Sequence, residues 1–70
     1  MKRRDSYTKK IGENIRRVRR AKGIGYERLA DKIPTQREVL RRIEKGYTSP
    51  LLLTLKRIAD ALEVDIKAFL

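Results

Sequence analysis

Apolar residues in this chain recur at the three- and four-residue spacing of an α-helix, in four short runs, the first three closed by glycine or proline. Ile11, Ile15 and Val18 form one stripe, and Leu29, Ala30 and Ile33 a second. Leu40 and Ile43 form a third, and Leu52, Leu55, Ile58, Ala59 and Leu62 a fourth. No segment alternates with the period of two that a half-buried strand needs. The chain is therefore read as all-α, a compact bundle of short helices.

The punctuation sets the expected boundaries. Residues 1–7 read as a flexible basic arm and 8–70 as one helical domain. The first helix is predicted from about Thr8 to Lys22, with Gly23 at the left-handed position after its end. The second is predicted over Tyr26 to Lys32 and stops before Pro34, because the residue preceding a proline avoids the α region. Thr35 and Glu38 have the spacing of a capping box and open a third helix, at about 36–45, that Gly46 closes. Ser49 as N-cap with Pro50 behind it predicts a fourth. Asp65 caps a fifth, with Val64 and Phe69 spaced as a hydrophobic staple.

Seventy residues hold one modest core. They carry 19 Lys and Arg against 9 Asp and Glu, a formal net charge of +10. A surface that one-sided attracts polyanions. With neither Cys nor His, disulfides, thiol chemistry and the usual zinc sites are excluded. The carboxylates Glu13, Asp31, Glu44 and Asp60 fall singly among cations, so no catalytic residues, cofactor or metal are expected. No apolar run is long enough for a membrane span, and no apolar segment follows the basic start as a secretory signal requires. A small-molecule substrate is likewise not expected.

Two short helices joined by a tight turn, inside a basic helical domain, describe a helix-turn-helix, whose second helix lies in the DNA major groove. At about 100° per residue, Leu40 and Ile43 mark the inner side of the third helix. Glu38, Arg41, Arg42 and Lys45 cluster on the opposite face, and Arg37 stands at the tip. Arg can donate two bonds to guanine O6 and N7, and Glu can accept from cytosine N4. An ordinary solvated face, with Glu38 as capping partner, is the competing reading.

The segments Ile11-Gly-Glu-Asn-Ile-Arg-Arg-Val-Arg-Arg-Ala-Lys-Gly-Ile24, Leu29-Ala30, Arg42-Ile-Glu-Lys-Gly46, Ser49-Pro50 and Ile58-Ala-Asp-Ala-Leu62 together resemble the phage-repressor/Cro-type helix-turn-helix family, often called XRE. The resemblance runs over 11–70 without a gap. It implies a five-helix lambda-repressor-like domain with the motif at the second and third helices. It implies that Arg19 pairs with Glu44 as an architectural tie, and that Gln36, Arg37, Glu38 and Arg42 stand where the family reads bases. Arg41 joins them from the helical wheel alone. Lys45 and Thr35 are expected beside phosphate. Tyr26 stands where the family usually has a glutamine that meets phosphate; phosphate contact and simple packing are equally open for it.

Three departures matter. Pro34, Thr35 and Gln36 replace the usual turn, and proline cannot supply a positive φ. Gly25 replaces a polar N-cap. Leu51 and Leu53 are apolar where the family is often polar, and with Phe69 and Leu70 they are expected to form a dimer surface. Lys2, Arg3, Arg4, Lys9 and Lys10 are expected to act as a nonspecific arm on DNA.

The expected partners are double-stranded DNA and a second copy of the chain. The expected function is sequence-specific transcriptional regulation of repressor type, in the cytoplasm and on the nucleoid when bound. The alternative is an antitoxin- or coactivator-like interaction module using the leucine patch. RNA binding is disfavoured, because the aromatics Tyr7, Tyr26, Tyr47 and Phe69 are too scattered to form a stacking platform.

Overall fold

The computed structural model describes residues 6–33 and 37–70, and these form helices joined by short turns, without a strand among them. The elements are α1 (Ser6–Ala21), α2 (Tyr26–Lys32), α3 (Arg37–Glu44) and α4 (Leu52–Leu62), followed by a 3₁₀ helix at Ile66–Phe69. The fifth α-helix expected from Asp65 is thus a correction: that segment is a single 3₁₀ turn, leaving four α-helices among the described residues. The cap itself is as expected, since the Asp65 side chain accepts from the Lys67 amide at 2.9 Å. Its bonds run from Ala68 N–H to Asp65 and from Leu70 N–H to Lys67, the i to i+3 closure that suits so short a piece.

α1 begins at Ser6, two residues before the expected start. Ile15 is fully buried, while Ile11 and Val18 pack against the core as its partly covered flanks. Gly23 takes φ +71°. The Ile24 amide bonds the Arg19 carbonyl and the Gly23 amide the Arg20 carbonyl, which is a Schellman closure. Gly46 ends α3 the same way at φ +77°, with Tyr47 N–H on the Arg42 carbonyl. α2 is entered through Gly25 in extended conformation and left through Ile33, also extended, as a residue before proline must be.

α4 departs from expectation at its start. Its N-cap is Leu51, whose carbonyl accepts from Leu55 N–H at 2.9 Å, not Ser49 with Pro50. The inward stripe therefore begins at Leu55 and continues through Ile58, Ala59 and Leu62. Leu52, expected in the core, is 75% exposed because no described element packs over that first turn. α4 ends on Glu63 in the left-handed region at φ 59°, closed by Val64 N–H on the Ala59 carbonyl.

α1 packs on α3 and on the 3₁₀ helix, α2 on α3 and α4, and α4 on the 3₁₀ helix. The core joins Ile15, Leu29, Ile33, Leu40, Ile43, Leu55, Ile58, Leu62 and Phe69 into one cluster. Asn14 Nδ2 donates to the Phe69 carbonyl at 3.0 Å and pins the 3₁₀ helix to α1. Phe69 is therefore wholly interior. Its expected place in a dimer surface is corrected.

Candidate nucleic-acid interface

The outer face of α3 is set by what its inner face buries. Leu40 and Ile43 are in the core, and Glu44, one residue on, is buried against α1. Projected at about 100° per residue, the remaining arc carries Arg37, Arg41, Lys45 just past the helix end, Glu38, Arg42 and then Val39, and all six are exposed. Arg37 Nη1 lies 3.8 Å from Glu27 Oε2, a solvated link from α3 to α2. Glu38, Arg41, Arg42 and Lys45 have no ion-pair partner among the described residues.

Two devices fix the position of that face. The first is the Arg19–Glu44 pair. Arg19 Nε and Nη2 donate to the two carboxylate oxygens of Glu44 at 2.6 and 2.9 Å, and Nη1 donates to the Ile24 carbonyl at 2.8 Å. Both side chains are buried, and among the described residues no buried side-chain nitrogen or oxygen lacks a partner. A buried charge pair of this geometry adds little net stability, but it leaves one arrangement of α1 on α3 satisfied.

The second device is Gly12. A Cβ there would stand 2.8 Å from the Glu44 carbonyl oxygen and run into the Ile43 carbonyl oxygen. The absent side chain lets α1 lie directly on the backbone of α3. Sequence reasoning did not assign Gly12 this role. The available signal was a glycine inside a helical stripe, three residues before Ile15, where close packing is the usual cause.

Tyr26 is half-buried against the core, as the packing reading expected, and it borders a cleft of about 230 Å³ between α1 and α3. Arg41 and Lys45 border the same cleft, so Arg41 lies on the α1 side of the α3 face. Arg16 and Arg20 of α1 line it from the other wall, and no role was foreseen for them. Lys9 and Lys10, grouped with the arm for their charge, lie in α1, where the helix expected from Thr8 already placed them. Thr35 and Gln36, with Pro34 and the arm residues Lys2, Arg3 and Arg4, lie outside the described residues.

Away from α3, Leu51, Leu53 and Leu70 are 77%, 59% and 64% exposed, and Leu52 joins them. Three consecutive exposed leucines are a large apolar display for so small and charged a surface. Among the described residues no cluster of metal-ligating side chains occurs, and no helix is long and apolar enough to cross a membrane.

A family model described as helix-turn-helix, HTH_3, matches residues 15–69. The chain is 34% identical over 57 residues to an uncharacterized HTH-type transcriptional regulator, y4dJ, of Sinorhizobium fredii, covering 81% of this chain and 74% of that one. Its fold is similar to the crystal structure of the restriction-modification controller protein C.AhdI from Aeromonas hydrophila. That match has a TM-score of 0.90 at 26% identity and covers 94% of this chain and all of that one. An HTH_3 family transcriptional regulator from Vibrio cholerae matches with a TM-score of 0.86 at 28% identity, over 91% of this chain and 36% of that one.

Proposed function

The chain belongs to the HTH_3 helix-turn-helix family, and on that premise we propose that it is a sequence-specific transcriptional regulator of repressor type, binding operator DNA as a homodimer. The observation that carries this reading is the cationic outer face of α3 on a helix held rigidly by Arg19–Glu44 and Gly12. A recognition helix needs both parts: side chains that reach base edges, and a mount that does not move as they do so.

In this reading α3 lies in the major groove. Arg37 and Arg42 donate in pairs to guanine, and Glu38 accepts from cytosine N4, with Gln36 at the groove's edge. Glu38 belongs over bases, because a carboxylate on the phosphate backbone would be repelled. Lys45, Tyr26 and Thr35 face phosphate, and Arg41 stands between the two sets. Lys2, Arg3 and Arg4 add sequence-independent attraction. Leu51, Leu52, Leu53 and Leu70 form the self-association surface, which sets two α3 helices about 34 Å apart on a pseudo-palindromic site. Repression then follows from occupying a promoter in the cytoplasm.

Selection from random duplex DNA tests this, together with sedimentation at several protein concentrations. The expected result is a palindromic consensus bound by two chains. Binding without any consensus would refute sequence-specific regulation, and a consensus bound by one chain would refute the dimer. Capture of a second protein by the leucine patch, with DNA affinity indifferent to Arg37 and Arg42, would favour an interaction module instead.

A further inference from the structure

The α1 side of the interface has a charge distribution that base reading does not need. Arg16 and Arg20, one helical turn apart, face Arg41 and Lys45 across the cleft between α1 and α3. The cleft's one carboxylate is Glu44, and both of its oxygens are already taken by Arg19. Among the described residues none of the four outer cations has an ion-pair partner. The contrast with α4 is informative: there Lys56 is followed four residues later by Asp60 and pairs with it at 3.1 Å. On α1 the residue four after Arg16 is another arginine. Like charges at that spacing repel, and a bound anion removes the repulsion.

The cleft continues along α1. A second cleft, of about 300 Å³, shares Arg16, Glu44 and Lys45 with the first and extends to Lys9. It adds one carboxylate, Glu13, and the ring of Tyr47. Lys9 is held there by backbone, since its Cα lies 3.1 Å from where a Cβ on Gly46 would stand. Lys9, Arg16 and Arg20 thus follow one edge of α1 for about 16 Å, at about 1.5 Å per residue. One DNA strand rises about 3.4 Å per nucleotide, so this edge passes more than one phosphate.

We propose that the α1 edge formed by Lys9, Arg16 and Arg20, with Arg41 of α3 and Lys45 just past its end opposite, is a second DNA contact that grips backbone phosphates flanking the bases read by α3. It rests on the reading of the chain as a DNA-binding protein and widens the footprint assigned to it. The grip carries no sequence information; it fixes the register of α3 and steepens the dependence on salt. The ligand is the phosphodiester of duplex DNA, because an extended row of cations matches a repeating charge better than a single small anion.

The test compares the whole chain with its Arg16→Ala/Arg20→Ala variant on the selected site and on an arbitrary duplex. Both side chains are exposed, so melting temperature should be unchanged. The slope of log affinity against log salt should become shallower by about 1.8 per bound chain, about 3.6 for the dimer, at about 0.9 per lost phosphate contact, on both duplexes, while the selected consensus stays the same. Neutral methylphosphonates placed one at a time should then weaken wild-type binding at a flanking position and leave the variant indifferent there. An unchanged slope, or loss of the consensus with it, overturns the second contact. So does equal protection by inorganic phosphate at matched ionic strength, which would mark a small-anion site. A wild-type chain that binds DNA without consensus defeats sequence-specific regulation but leaves the slope comparison decisive for the edge. A chain that binds no DNA defeats both.

Discussion

Arg19 and Glu44, 25 residues apart in sequence, meet through two hydrogen bonds of 2.6 and 2.9 Å that close α1 onto the last turn of α3. Removing either partner strands a buried charge, which costs about 3–5 kcal/mol. Arg19→Ala and Glu44→Ala should each lower the denaturant midpoint severely, whereas Arg19→Met/Glu44→Leu should recover most of the loss. Equilibrium unfolding of the three variants decides this. Single variants as stable as the parent would show that the pair is not a tie.

Gly12→Ala should destabilise the chain even though alanine is the better helix former by about 1 kcal/mol. The added Cβ meets backbone oxygens of Ile43 and Glu44, which cannot rotate away as a side chain would. Overpacking of this kind costs about 1–3 kcal/mol, enough to outweigh the propensity gain. A raised melting temperature would mean that α1 and α3 are not in direct contact.

Glu63 terminates α4 at φ 59°, a conformation that glycine adopts without the steric cost of a Cβ. Glu63→Gly should therefore stabilise the fold by about 0.5–1 kcal/mol. Thermal melting is sufficient to read it, and a decrease would show that the Glu63 side chain has a role beyond the turn.

Arg37→Ala and Arg42→Ala should each weaken binding to the selected site by about 1–3 kcal/mol while affecting arbitrary duplex much less. Competition titrations at fixed salt report the ratio. Glu27→Gln is the useful companion, because it frees Arg37 from its 3.8 Å neighbour and should raise affinity slightly. Equal losses on both duplexes would move Arg37 and Arg42 from bases to phosphate.

Leu51→Lys/Leu52→Lys should leave the monomer's fold intact, since both side chains are more than 70% exposed. Surface changes of this kind alter stability by about 0.5 kcal/mol or less. Sedimentation equilibrium should show weakened self-association. An unaltered association constant would take the leucines out of the proposed self-association surface.

The helices, their order and most of their ends were legible in the residues, because those signals are local. A 3.6-residue apolar period shows in any window of two turns, and Gly23 and Gly46 stop helices through their own φ. The face of α3 was legible for the same reason: once Leu40 and Ile43 are inside, helical geometry alone directs Arg37, Glu38, Arg41, Arg42 and Lys45 outward. The Arg19–Glu44 tie could not be read from spacing; the family resemblance supplied it.

What only the tertiary structure decided depends on which element stands opposite. Leu52 and Phe69 look equally apolar in sequence, yet one is exposed and the other enclosed, because α1 covers the 3₁₀ helix and nothing described covers the first turn of α4. Gly12 becomes necessary only when the carbonyls of α3 lie against it. Arg16 and Arg20 are two more cations among 19 until α3 sets Arg41 and Lys45 across from them. Periodicity determines what each helix hides and shows, whereas a shared cleft arises from the distance between helices that local sequence does not encode.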